Sequence, residues 1–254
     1  MGSQGHAASG SSVIPIALLT DFGHQDPYVG IMKGVLLSRA PGATVVDLCH
    51  EIPGQRIGVG AFFLKAAIAY FPNETLFVAV VDPGVGSKRS ILWGRNKRGQ
   101  QFLAPDNGLL DDVGIVSARR VKNRSLFLSE ISATFHGRDI FAPTAAALAC
   151  GLDPVKLGPK VKPPRKNKKG ASRSVLLIDR FGNAVTDIHP ESVRGKSIWV
   201  GKKKIGSLQK TYSSVKPGAL LALIGSYGLV ECSVRDGDFA SVFKIKPGDR
   251  VHVR

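Results

Sequence analysis

An α/β first half followed by a small all-β second half is the fold class that the sequence predicts. Three observations carry this. Strand-like and helix-like runs alternate through the first half, a pattern that builds a mostly parallel sheet with helices on both faces. After residue 174 only short β-rich runs remain, separated by Gly, Pro and Lys turns. Between the two halves lies a Pro- and Lys-rich stretch that resembles neither. The expectation is a three-layer α/β domain over 13–157, a basic linker over 158–173 and a barrel-like β domain over 174–254, preceded by a disordered leader over 1–12.

Each element has its own signal. The run Val13–Leu19 reads as a buried strand entering a loop at Thr20-Asp21-Phe22-Gly23. Pro27 suits a first helical turn, where its missing N–H is no loss, and apolar residues at helical spacing follow through residue 39. A strand over Ala43–Leu48 comes next, and then an Ala/Phe/Leu-rich helix over Gly58–Phe71, closed by Pro72. Thr75–Val81 is the clearest strand, apolar on both faces as a central parallel strand is. In the second half, strands are expected at Val175–Ile178, Ala184–Ile188, Ser197–Val200, Ala219–Ile224, Leu229–Val234 and Arg250–Val253. Evenly spaced short strands of this kind form a small barrel or sandwich.

Charge and cysteine content narrow the functional classes. The net charge is +16, from 35 Lys+Arg against 19 Asp+Glu. Residues 1–157 hold 15 basic and 12 acidic residues, 158–173 hold 7 and none, and 174–254 hold 13 and 7. The excess is therefore concentrated in the linker and the second half. The linker has no aromatic residue to stack on a base, so it reads as a solvated connection and nucleic acid is not an expected partner. Cys49, Cys150 and Cys232 are far apart and lack CxxC spacing, which argues against a disulfide framework or zinc ribbon. The apolar runs fall far short of the roughly 20 residues of a membrane span, and the start lacks a signal peptide's apolar core; a cytoplasmic protein is expected. The six histidines show no HxH or HxxxH pair, so no metal is expected.

The chemistry is expected in polar loops that follow strands, because ligands of open α/β sheets gather at the carboxyl ends of strands. These loops are Thr20–Gly23, Val81–Arg89, Ala104–Gly108 and Thr134–Asp139, with a fifth, Ile178–Asn183, opening the β domain. Asp21-Phe22-Gly23 and His136-Gly137-Arg138-Asp139 echo kinase signatures, but their order is reversed, a Gly is inserted, and the Gly-rich loop with its lysine is missing. Gly84–Lys88 lacks the GxxxxGK[ST] spacing of a phosphate loop.

The chain resembles the S-adenosyl-L-methionine hydroxide adenosyltransferase family, whose relatives fluorinate or chlorinate the same substrate. The resemblance runs from about Ile16 to Val253. It is carried by TDFGHQDPYVGIMKG (20–34), VDLCHEIP (46–53), VAVVDPGVGSKR (78–89), LAPDNGLL (103–110), TFHGRDIFAPTAA (134–146), IDRFGN (178–183) and GSYGLVE (225–231). It implies hydrolysis of S-adenosyl-L-methionine to adenosine and methionine without cofactor, in a homotrimer whose active sites lie between subunits. By motif, the water-activating trio falls on Asp82, Arg89 and His136. Halogenating relatives carry Tyr in place of Asp82, Thr in place of Val85, and no such histidine. The resemblance also implies that Asp21 holds the ribose hydroxyls and Phe135 lies beside the nucleoside. Asp179 is matched to the methionine ammonium, Asn183 to the adenine edge and Ser226 to the methionine carboxylate. Tyr227 stands where halogenases have Arg, and 235–240 departs from the family's adenine segment. Asp106 and Asn107 are expected to brace the site from a turn. The competing readings are halide-dependent adenosyl transfer, with 5′-halo-adenosine as product, and a non-catalytic adenosyl- or RNA-binding module.

Overall fold

The computed structural model describes residues 13–165 and 173–254. The expected leader, and residues 166–172 of the expected linker, lie outside the described residues. The chain divides into two compact units, 1–167 and 168–254.

The first unit contains strands β1 (Ile16–Thr20), β2 (Val45–Cys49), β3 (Leu76–Val80), β4 (Ile91–Asn96), β5 (Gln101–Pro105), β6 (Ile115–Arg120) and β7 (Lys160–Val161). They form one sheet in the order β2-β1-β3-β5-β4-β6-β7. Strands β2, β1, β3 and β5 are mutually parallel, whereas β4 runs antiparallel to β5 and β6, and β7 antiparallel to β6. Strand β7 falls inside the stretch expected as linker: the basic run begins as an edge strand, because Ala118 and Arg119 of β6 offer it a free edge.

Helices cover both faces. On one face lie α1 (Tyr28–Arg39) and α3 (Ala142–Ala149). Helix α1 buries Val29, Met32 and Leu36, spaced as one helical face requires, and Met32 and Leu36 join Ile16, Leu18, Leu76, Val78 and the alanines of α3 in one core. The opposite face takes α2 (Ile57–Ala67), where Gly60 lets the helix approach Leu19, Val81 and Leu109. The helix expected over Gly58–Phe71 tightens into a 3₁₀ turn at Ile68–Tyr70. β1 and β3 are buried along their whole length, as strands covered on both faces are.

The second unit contains β8 (Val175–Ile178), β9 (Ala184–Thr186), β10 (Ile198–Val200), β11 (Lys203–Gly206), β12 (Leu220–Ile224), β13 (Val230–Val234) and β14 (Val251–Val253), with one short helix, α4 (Phe239–Phe243). The antiparallel sheets β12-β13-β9-β8 and β11-β10-β14 are joined by isolated bridges between Ser174 and Arg250 and between Leu208 and Ala222. These bridges close the ring into the barrel-like form expected. Its core gathers Val175, Ile198, Val200, Ala222, Val230, Phe239 and Val251.

Candidate active site

Parallel strands β1 and β3 end side by side, so the loops after Thr20 and Val80 emerge together. The segment before α3 joins them. One pocket is lined by Asp21, Phe22, Val80, Asp82, Val85, Thr134, Phe135, His136 and Gly137. Four sequence-predicted residues therefore meet there: Asp21, Asp82, Phe135 and His136. The fifth, Arg89, is bonded to two of them.

Local structure explains the convergence. In the 82–89 loop, Gly86 adopts φ +75°, and a Cβ there would sit 2.5 Å from the Ala133 carbonyl oxygen, so only glycine lets this loop rest on the 133–136 segment. Asn107 donates from Nδ2 to the Val81 carbonyl at 2.8 Å, holding the loop's root from the expected turn. On the other side, the helix containing α3 begins with a π turn, Gly137–Phe141, in which the Ala142 N–H bonds to the Gly137 carbonyl. Such single wide turns recur at functional sites. Gly137 packs where a Cβ would press on Met32, Phe22 and Phe135, all at 3.1–3.2 Å. Asp139, fully buried, accepts from Ser132 N–H and from Arg138, which ties down the segment leading to His136.

Arg89 is the centre of the polar row. Its Nε donates to Asp82 Oδ1 at 2.9 Å and Oδ2 at 2.8 Å, and Nη2 bonds Oδ2 as well. The same Nη2 lies 2.9 Å from His136 Nδ1. Because a guanidinium only donates, Nδ1 is the acceptor and the ring is neutral with its hydrogen on Nε2. Burial, and then the Arg89 charge, hold the His136 pKa below its ordinary value, which agrees with that assignment. The Asp82 side chain is 5% exposed and that of Arg89 11%, so the pair is largely removed from water. Arg89 also stacks over the Phe141 ring at 5.7 Å. Asp21 accepts from Gln55 N–H on Oδ2 at 2.8 Å. Phe135 packs edge-on against Phe22 and Tyr28, forming an aromatic wall.

The remaining predicted residues belong to the second unit. Asp179 and Asn183 share the turn after β8: Asp179 Oδ1 accepts from Phe181 N–H and Asn183 N–H, and Oδ2 from Asn183 Nδ2 at 3.0 Å. Ser226 is exposed in the turn between β12 and β13. In the same unit the sequence reading missed Glu231, which is 5% exposed and takes bonds from Tyr212 and Ser233. Burial and the Glu231 charge push the Tyr212 pKa far up, so its hydroxyl is a fixed donor. Burial likewise raises the Cys232 thiol to about 12, so it is inert. In the first unit, Phe22 and Thr134 were not singled out; both stand inside motifs already noted, and their neighbours Asp21 and Phe135 were the signal.

Among the described residues no group of three or more His, Cys, Asp or Glu is placed to hold a metal ion, and no helix is long and apolar enough to cross a membrane.

Residues 16–158 match the family model of the SAM hydroxide adenosyltransferase N-terminal domain, and 173–252 match that of its C-terminal domain. An (R)-S-adenosyl-L-methionine hydrolase of Thermus thermophilus is 37% identical, over 92% of this chain and 97% of that protein. Another of the same name, from Salinispora tropica, is 35% identical over 94% and 97%. A fluorinase of Nocardia brasiliensis is more distant, at 26% identity over 94% and 96%. Among solved structures, an uncharacterised conserved protein of Thermotoga maritima superposes with TM-score 0.87 at 33% identity, covering 94% of this chain and all of that one. With both family domains matched in order along nearly the whole described chain, the protein belongs to the SAM hydroxide adenosyltransferase family.

Proposed function

We propose that the protein hydrolyses S-adenosyl-L-methionine to adenosine and L-methionine, and that its substrate is the (R)-sulfonium epimer for which its relatives are named. The observation that carries this reading is the hydrogen-bonded row Asp82–Arg89–His136, two of whose members line a pocket with Asp21 and Phe135.

The reaction is an in-line displacement at C5′. The water oxygen forms a bond to C5′ while the C5′–S bond breaks, and its electron pair neutralises the sulfonium. Methionine leaves as a neutral thioether, so no acid is needed. The difficulty is the weak nucleophile. His136, with Nδ1 committed to Arg89, offers Nε2–H to the water oxygen and orients it. The attacking oxygen becomes strongly acidic as the new bond forms, so a carboxylate of modest basicity suffices to take its proton. Asp82 is that acceptor, and the Arg89 fork holds its carboxylate in place. The balance is one water consumed and one proton released per turnover.

Asp21 receives the ribose hydroxyls: Gln55 already fixes Oδ2, and Oδ1 carries no protein bond among the described residues. Phe135 lies against the nucleoside. In the second unit, Asp179, oriented by three N–H bonds, receives the ammonium, Asn183 the adenine edge and Ser226 the methionine carboxylate. The reading includes a homotrimer, a cytoplasmic location, and no metal or organic cofactor. Of the expected linker the reading keeps the part beyond β7, and it keeps the leader over 1–12.

The test is an incubation in ¹⁸O-water with substrate that is epimeric at sulfur. One ¹⁸O in the adenosine 5′-hydroxyl, with depletion of the (R) epimer, is the expected result. Appearance of 5′-halo-adenosine when chloride or fluoride is added would instead support halide transfer, and binding of adenosine or RNA without turnover a binding module.

A further inference from the structure

Strands β1 and β2 are adjacent and parallel, so the loop carrying Asp21 and the loop 50–56 leave the sheet together. Three bonds strap them. Thr20 Oγ1 and His50 Nδ1 are 2.8 Å apart, Gly23 N–H donates to the His50 carbonyl at 2.8 Å, and Gln55 N–H donates to Asp21 Oδ2 at 2.8 Å. Behind His50 the chain continues: Nε2 is 3.0 Å from Asp47 Oδ1, and Asp47 Oδ2 takes Lys33 Nζ at 2.5 Å.

The donors and acceptors fix one direction for this chain. A carboxylate only accepts, so His50 Nε2 carries the ring hydrogen and donates it to Asp47 Oδ1. Nδ1 of the neutral ring is then an acceptor, so the Thr20 hydroxyl donates to it, while Oγ1 accepts from Phe22 N–H at 3.3 Å. Burial depresses the His50 pKa, in keeping with a neutral ring. Thr, His and Asp in this order resemble a nucleophile with its base and orienter. Thr20 is 0% exposed and His50 1%, so no substrate reaches the hydroxyl and a nucleophilic role is excluded. Packing alone does not account for the chain either, since Val and Leu would fill the same volume without polar groups to satisfy. Its free end is the loop of Asp21. Opposite, Gln55 holds φ +64°, a left-handed conformation costly for a side-chain-bearing residue, and it is the residue whose N–H meets Asp21.

We propose that Thr20 and His50, backed by Asp47, are positioning residues that set the Asp21 carboxylate for the nucleoside ribose. This rests on the reading of Asp21 given above. Energy stored in a fixed carboxylate appears as affinity, because the ribose contact exists in ground and transition states alike.

Calorimetry with adenosine, together with steady-state turnover, tests this in the full chain. Thr20→Val keeps the β-branched shape and removes the hydroxyl. It should weaken adenosine binding and raise KM by about tenfold, in line with one buried hydrogen bond lost, and leave kcat within about twofold. Thr20→Ser, which restores the hydroxyl, should restore affinity. Added to Asp21→Ala, Thr20→Val should cost nothing further, since residues acting through one group are not additive. If Thr20→Val does not fold, His50→Leu against His50→Gln supplies the same contrast, the amide replacing the bonds to Thr20 and Asp47. Wild-type affinity in Thr20→Val, or its full penalty persisting on top of Asp21→Ala, overturns the proposal. Unchanged affinity in Asp21→Ala alone removes the ribose reading itself, a separate failure that takes this inference with it.

Discussion

Replacing Arg89 by Met separates what this residue does for the fold from what it does for the reaction. Methionine matches the stem in length and keeps contact with Phe141, but removes the fork that holds Asp82. The carboxylate, 5% exposed, is then left with no cation. Removing one partner of a buried pair costs about 3–5 kcal/mol. At about 2–4 °C per kcal/mol for a domain of this size, the melting temperature should fall by about 6–20 °C. Turnover should fall by about 10²–10⁴, because His136 loses the donor that fixes its tautomer and Asp82 the fork that orients its carboxylate. The double variant Asp82→Asn/Arg89→Met removes the stranded charge, so most of the lost melting temperature should return while turnover stays at the level of the single variant. Thermal denaturation and product chromatography on the wild type, Arg89→Met, Asp82→Asn and the double variant read both axes. An unchanged melting temperature in Arg89→Met, or a double variant as unstable as the two single losses combined, would refute the reasoning.

Four further outcomes are expected. The pKa of His136 is depressed below 6.5, so the unfolded state takes up protons first; stability is complete above pH 6.5 and declines as pH falls towards the folded pKa. Turnover should lose activity on the same acid side, and His136→Asn, whose amide oxygen can still accept from Arg89, should flatten that limb in a pH–rate profile. Gly86→Ala should be more damaging than Gly114→Ala in denaturation and turnover: both positions have positive φ, but only at Gly86 does a Cβ meet backbone. Dialysis against a strong chelator should leave activity unchanged, and loss restored by one particular metal would contradict the metal-free reading.

The parts of the fold legible in sequence were those with strong local signals. Leu76–Val80 is apolar throughout, and α1 follows a proline with buried residues at helical spacing. Strands β4, β6 and β7 gave little signal of their own, because their place depends on partners: Lys160–Val161 is a strand only because β6 offers an edge. The charged strand β11, Lys203–Gly206, likewise reads as a turn until β10 pairs with it. In the site, Asp82 and His136 were legible through long motifs. Arg89 beside Lys88 looks like any surface cation but for its register with Asp82 in the same motif, and the fold sets its side chain 11% exposed between two partners. The strap from Thr20 through His50 to Asp47 was invisible because it joins two loops whose proximity is set by strand order, which no local pattern encodes.

The π turn ahead of α3 carries a consequence for length variation in this region. A π turn holds one residue more than an α turn over the same stretch of axis. Ala142–Ala149 is anchored by its buried alanines, so deleting one residue from Gly137–Phe141 would leave α3 in place and let the helix run regularly into it. Because the wide turn absorbs its extra residue within one revolution, the chain ahead of it would keep its place and His136 would still face Arg89. A one-residue deletion inside the regular Ala142–Ala149 stretch would instead turn everything before it by about 100°, the angle of a single helical residue, and carry the ring away from Arg89. Along this helix a one-residue gap is therefore silent at the wide turn and disruptive beyond it.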